Sequence, residues 1–314
     1  MVPAHGCGIV ARMNDGVDTA RESLEGLVLG DAFGQSWFVR DAEAGERWLA
    51  GREVRPGPWK WTDDGAMGLV LHAHLVRYGE VRPAELAAAF AAEYARDAYR
   101  QYGASMHEVL ERIGAGEDWR AVTGGQFGGQ GSWGNGAAMR VAPLGAFFHG
   151  NVDTVVEQAR RSALATHAHP EAVAGAVAVA VAAALAAAGR GGPAPQRPEF
   201  LREVAGRVQP GQVRDLLLTA AGLPAATTVR EAAELLGSGW RISAPDTVPF
   251  ALWCAAGQPD DVAEALWRTL EGWGDRDTTC AIVGGVVAAR AGLSGVPADW
   301  RSRAEPARIP DADE

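Results

Sequence analysis

The chain has 314 residues, 47% of them hydrophobic, and a formal net charge of −10, from 29 basic and 39 acidic side chains. That balance, with no basic stripe along the chain, excludes a reader of the nucleic-acid phosphate backbone. Its three cysteines, Cys7, Cys254 and Cys280, are scattered too widely for a disulfide framework or a zinc pattern, which suits a reducing, cytoplasmic setting.

In chain order, residues 1–15 read as irregular and lack the basic start and apolar centre of a signal peptide; Met13 is an alternative start to Met1. Amphipathic spacing predicts a helix over 21–29, running into Gly30-Asp31-Ala32-Phe33-Gly34. Residues 35–60, with Pro56, Pro58 and several glycines, read as loop. An apolar helical run follows Trp61-Thr62-Asp63-Asp64. Proline at the first turn opens a helix over 83–94. Helical spacing recurs over 105–113, 152–165, 170–188, 198–208, 212–221, 229–236, 245–256, 260–270 and 278–291. The longest apolar run, 172–188, is mostly alanine with Gly175 inside; alanine partitions weakly into lipid, so the run reads as a helix buried on all sides, not a membrane span. From 294 to 314 the chain is polar and is expected to fray. No period-2 strand and no solenoid repeat appears. The expectation is an all-α fold, one compact domain over 16–293.

Two stretches carry hard oxygen donors at the mouths of apolar helices. One is Thr62-Asp63-Asp64; the other is Asp275-Arg276-Asp277-Thr278, more than two hundred residues later. Each alone reads equally well as a helix cap. Brought together, their four carboxylates would repel one another unless a divalent cation such as Mg²⁺ lay between them. Two such clusters supply enough oxygens for a two-metal site. Between them lies a glycine-rich stretch, Phe127 to Arg140, whose backbone N–H groups can approach an anion and whose Phe127 and Trp133 can stack on a base. His167 and His169 precede a helix; oxygen-rich clusters elsewhere match Mg²⁺ better than imidazole does, so His167 is assigned hydrogen bonding or capping.

The ordered set Gly30-Asp31-Ala32-Phe33-Gly34, Trp61-Thr62-Asp63-Asp64, Gly134 to Gly145, Thr166-His167-x-His169-Pro170 and Gly274-Asp275-x-Asp277-Thr278 resembles the ADP-ribosylglycohydrolase family, across residues 26–292. The resemblance implies an all-α fold and two bound Mg²⁺, with Mn²⁺ as a substitute. It also implies Mg-dependent hydrolysis of the glycosidic bond between ADP-ribose and an acceptor. That acceptor is a protein side chain, arginine ahead of serine, or a small molecule. Carried over by position, the metal ligands are Thr62, Asp63, Asp64, Asp275, Asp277 and Thr278. Gly131, Ser132, Trp133, Gly134, Asn135 and Gly136 hold the diphosphate and distal ribose, with Phe127 and His167 lining the same ligand. Cleavage passes through an oxocarbenium-like state and needs an activated water; Asp63 or Asp64 is the expected base.

Two positions depart from the family pattern. Many members carry a glutamate four residues after the Gly-Asp-x-x-Gly motif, where this chain has Phe38; some arginine-directed members also lack it. Phe38 is therefore expected to line the acceptor pocket, its ring stacking on a guanidinium. Gly65 stands where the family often has threonine. The alternative to an enzyme is a non-catalytic ADP-ribose binder on the same fold.

Overall fold

In the computed structural model, which describes residues 5–307 and 309 (side chains from residue 15 onward), the described chain is a succession of helices joined by loops. The helices are α1 (His5–Gln35), α2 (Ala42–Ala50), α3 (Asp63–Tyr78), α4 (Pro83–Arg96), α5 (Ala104–Gly114), α6 (Trp119–Gly129), α7 (Gly136–Met139), α8 (Ala142–Phe147) and α9 (Val152–Leu164). They continue with α10 (Pro170–Ala188), α11 (Arg197–Ala205), α12 (Gln212–Gly222), α13 (Val229–Leu236), α14 (Ala244–Gly257), α15 (Val262–Leu270), α16 (Arg276–Ala291) and α17 (Ala298–Arg303). Among the described residues the only β pairing is two isolated bridges, Trp59 with Ala304 and Gly134 with Ser243.

The central contact is between α1 and α16. Gly26, Gly30 and Gly34 recur every four residues, so they share one face of α1. A side chain at any of them would collide with α16: a Cβ on Gly30 would lie 2.1 Å from the Cys280 carbonyl oxygen, and one on Gly34 would lie 2.2 Å from that of Arg276. Gly284 returns the same contact against Gly26. Two backbones can touch this closely only where neither carries a side chain. The consequence is positional: Asp31, at the end of the glycine face, is set beside the start of α16.

α10 spans Pro170–Ala188, as its periodicity predicts. It is long and apolar enough to cross a membrane, but 78% of its apolar window is buried inside the protein. A β-carbon on Gly145 of α8 would meet the Ala180 carbonyl at 2.0 Å, so small residues also set this close packing.

Three expectations from the sequence fail. The stretch 1–15 is helical from His5, as the first turns of α1; residues 1–4 lie outside the described residues. The loop expected over 35–60 contains α2, capped by the Asp41 carboxylate accepting from Ala44 N–H at 3.0 Å. The tail beyond 293 does not fray throughout: α17 docks through Trp300, which is buried in a ring cluster with Phe33, Trp37, Trp59 and Trp267. Trp300 gives a segment of polar overall composition an apolar anchor in the core.

Candidate active site

Thr62 occupies the N-cap of α3, yet its side chain does not cap that helix. The cap is supplied from α1 instead. Asp31 Oδ2 accepts from the N–H of Thr62 and from the N–H of Gly65, both at 2.8 Å. The Thr62 hydroxyl lies 2.9 Å from Asp31 Oδ1 and 3.0 Å from Asp64 Oδ2. Asp31 belongs to the same cluster, and its sequence signal is a lone carboxylate in an otherwise apolar helical stretch. The structure also accounts for Gly65: a Cβ there would sit 3.0 Å from Asp31 Oδ2 and 3.1 Å from Trp61 Cβ.

The second cluster starts from a left-handed turn, with Trp273 at φ 54° and Gly274 at φ 65°. Asp275 is at the N-cap of α16 without a capping bond from its side chain, whereas Asp277 Oδ1 accepts from the Thr278 N–H at 2.9 Å, the local capping contact expected of it. Asp275 Oδ2 accepts from Asn135 Nδ2 at 2.7 Å, and the Asp275 N–H donates to the Ser238 carbonyl at 3.0 Å. Asn135 also donates to Thr247 Oγ1 at 3.1 Å. The Asn135 side chain thereby ties the glycine-rich loop to the carboxylates.

The clusters meet. Burial raises every one of the five carboxyl groups, and four of them are raised further by charges within the group. Asp31 is pushed up to about 7 by burial and then by the charge of Asp277, against three hydrogen bonds from Thr62 and Gly65. Asp275 rises to about 8 through burial and Asp277. Asp63 and Asp64 are held well above the usual carboxylate range by burial and by Asp31, Asp277 and Asp275, and Asp277 is raised by burial. The buried cation Arg140 offsets only part of this. It donates to Gly136, Ser162 and Thr166 oxygens, lies 4.4 Å over the Phe90 ring, and is itself lowered to about 9 by burial.

Among the described residues, no three His, Cys, Asp or Glu side chains are closed around a single point. The arrangement is open, with hydroxyl and carboxylate oxygens arriving from α1, α3 and the start of α16. Asp64 Oδ1 is buried and has no hydrogen-bond partner. An orphaned carboxylate oxygen amid mutually repelling carboxyl groups fits a hard divalent cation, which takes oxygen ligands and would lower all of these pKa values.

The glycine-rich loop forms the rim. Phe127, Gly128, Gly129 and Gly131 all have positive φ, and Phe127 and Trp133 are exposed. Ser132 is buried, and its Oγ accepts from Gly134 N–H at 3.2 Å. His167 is buried beneath the loop, against Gly134 and Gly136. Burial lowers it to about 3, so it is neutral, and its Nδ1 is 2.7 Å from Thr166 Oγ1. Of the hydrogen-bonding or capping role expected of His167, the structure shows the hydrogen bond, while the cap of α10 is His169, whose Nδ1 accepts from Glu171 N–H at 3.1 Å. Beyond Trp133 lies a groove of about 400 Å³, lined also by Ser238, Trp240 and Asp246.

Phe38 is 46% exposed, but not as an open platform. The guanidinium of Arg276 already lies 4.4 Å from its ring centroid and donates to the Trp37 carbonyl at 2.6 Å. The expected stacking of a guanidinium on Phe38 is thus made by the protein's own arginine on one face. Tyr102 went unnoticed in the sequence. It is buried, its hydroxyl has no partner, and burial with the Asp63 charge raises it.

Comparison with known proteins gives concordant results. A family model described as ADP-ribosylglycohydrolase matches residues 13–313. The human protein named ADP-ribosylhydrolase ARH3 is 28% identical over 326 residues, covering 91% of this chain and 88% of its own length. An uncharacterized protein of Archaeoglobus fulgidus is 31% identical, covering 89% of each. A Serratia proteamaculans protein named ADP-ribosylarginine hydrolase Tri1 is 24% identical over 91% of this chain and 75% of its own. A solved structure, described as an ADP-ribosylglycohydrolase-related protein complex, superposes with a TM-score of 0.66 at 24% identity. It covers 93% of this chain and 94% of its own, and at that identity it speaks to the fold.

Proposed function

The chain belongs to the ADP-ribosylglycohydrolase family and is a glycohydrolase, and from that premise we propose that it removes ADP-ribose from an acceptor in a reaction dependent on two Mg²⁺, with Mn²⁺ as a substitute. The observation that carries the reading is the convergence of five carboxyl groups, Asp31, Asp63, Asp64, Asp275 and Asp277, each raised by burial and four of them also by charges within the group. A fold without a ligand there would hold that repulsion for nothing in return.

Thr62, Asp63 and Asp64 from α3, with Asp275, Asp277 and Thr278 from α16, would hold the cations. When bound, these supply Lewis acidity toward a water and the ribose hydroxyls. The protein's own groups do the rest. Of Asp63 and Asp64, the one whose carboxylate is left free by the cations would take the water proton. The flanking carboxylates favour positive charge developing at the anomeric carbon. Asp31 keeps the Thr62–Gly65 turn in place by its two backbone contacts. The loop at Gly131–Gly136 presents backbone N–H groups to the diphosphate, and Phe127 and Trp133 offer ring faces to the base.

The preferred acceptor is an arginine side chain ahead of serine, because an acidic cleft attracts a guanidinium. Phe38 contributes its outer face only, since Arg276 covers the other. The buried free thiols Cys254 and Cys280 suit a reducing cytoplasm. The test is incubation of purified protein with ADP-ribosyl-arginine, ADP-ribosyl-serine and small ADP-ribosylated acceptors, with and without Mg²⁺, following free ADP-ribose. Release that requires Mg²⁺ and is fastest from arginine is expected. Binding of ADP-ribose without release from any acceptor would replace the enzyme with a binder.

A further inference from the structure

The C-terminal segment is built into the wall of the acidic site. Trp300 lies flat on Phe33, with ring centroids 4.4 Å apart and 14° between planes, and Phe33 stands two positions after Asp31. The chain then runs alongside the segment that leads into α3. The Trp59 N–H donates to the Arg303 carbonyl at 2.7 Å, and the Glu305 N–H donates to the Trp59 carbonyl at 2.8 Å. The Glu305 carboxylate accepts from both terminal nitrogens of Arg100, at 2.8 and 2.9 Å. That same guanidinium lies 3.4 Å from the Trp61 ring centroid and donates to the Trp61 carbonyl oxygen at 3.0 Å. Its Nε donates to Asp97 at 2.8 Å.

Trp61 directly precedes Thr62-Asp63-Asp64, so Arg100 grips the residue from which the acidic turn springs. Most surface ion pairs contribute little. This one differs in three respects: it is bidentate, the arginine is 15% exposed, and its plane is stacked on an indole.

We infer that Arg100, held by Glu305 of the C-terminal segment, is a positioning residue that sets the Thr62–Asp64 turn opposite Asp275 and Asp277. The inference rests on the hydrolase reading for its activity readout alone. Lysine at position 100 keeps the charge but loses the fork and the flat face; glutamine loses all three. Glu305→Gln releases the arginine from the tail while leaving it stacked.

The experiment uses the full-length protein and its Arg100→Gln, Arg100→Lys and Glu305→Gln variants. Backbone hydrogen exchange and steady-state hydrolysis are measured on each. In Arg100→Gln, exchange at the Thr62 and Gly65 amides should accelerate about tenfold while α10 amides stay as in the parent. The kcat should fall about tenfold with KM within about twofold, as expected when a reacting group shifts by a fraction of an ångström. Arg100→Lys and Glu305→Gln should fall in between. Unchanged exchange at Thr62 and Gly65, or equal acceleration across all helices with kcat preserved, would overturn the inference in favour of a general structural role. If the parent hydrolyses nothing, the hydrolase reading is what fails, and exchange at Thr62 and Gly65 decides the positioning role by itself.

Discussion

The two acidic clusters look alike in sequence, a threonine and two aspartates before an apolar helix, yet the protein mounts them differently. Thr62, Asp63 and Asp64 are buried, and their turn is fixed from three sides: Asp31 on α1, Arg100 after α4, and the C-terminal segment through Trp59 and Glu305. Asp275 and Asp277 are less completely buried and follow a left-handed turn. Asp275 is tied to Asn135 on the glycine-rich loop and to Ser238 beside the open groove, and Asp277 accepts from the Thr278 N–H. The first cluster is anchored in the core, and the second is tied to the glycine-rich loop through Asn135.

Substitutions separate these roles. The largest effect is expected from Asp277→Asn, which keeps the shape but removes the charge facing Asp31, Asp63 and Asp64. Turnover should fall by more than about 100-fold, beyond the loss usual for a supporting residue of a metal site, and calorimetry should show weaker Mg²⁺ binding. Unchanged Mg²⁺ dependence would place the metal elsewhere. Asp31→Ala comes next. It strands two buried N–H groups, at about 1–3 kcal/mol for each group left without a partner, so the melting temperature with Mg²⁺ present should fall along with activity. An asymmetry is expected: Asp31→Ala destabilises the fold, whereas Asp277→Asn spares it.

The loop gives a middle-sized effect. Gly131 has φ 76°, and a Cβ there would lie 2.7 Å from the His169 nitrogen. Gly131→Val should raise the Kd for ADP-ribose about tenfold, roughly the 1.4 kcal/mol of one displaced backbone contact, and leave Mg²⁺ binding alone. Equal affinity in variant and parent would reduce the loop to a surface connection.

The carboxyl groups also predict a pH effect. Asp31 and Asp275 hold protons in the folded protein up to about 7 and about 8, whereas the unfolded chain releases them near 3.8. Raised carboxyl pKa values stabilise the fold below the unfolded value and lose that contribution as pH rises through the folded one. Metal-free protein should therefore melt at progressively lower temperature between pH 4 and pH 8. Added Mg²⁺, which binds the ionised groups, should raise the melting temperature more at pH 8 than at pH 6. The reverse order would mean that the carboxylates are already ionised without metal.

The smallest effect belongs to Phe38→Ala. The ring is half-exposed and one face is spent on Arg276, so the loss should stay near 0.5–1 kcal/mol. It should appear as a few-fold higher KM for ADP-ribosyl-arginine, with free ADP-ribose bound as before. Restoring glutamate, as in Phe38→Glu, should not be needed for turnover.

Local patterns made much of this protein readable from its sequence alone. Periodicity and proline placement located α10 and α13 to the residue, because those signals act within a few turns of chain. Donor chemistry and family motifs picked out Thr62, Asp63, Asp64, Asp275, Asp277 and Thr278 as a set. Tertiary structure alone decided the rest. The every-fourth glycines of α1 became meaningful only against α16, which brings Asp31 into the cluster as a cap for a different helix. The same holds for Arg276 covering Phe38, His169 rather than His167 capping α10, and Trp300 drawing a polar tail into the core. Each of these depends on which distant surface a side chain meets, and no window of local sequence contains that partner.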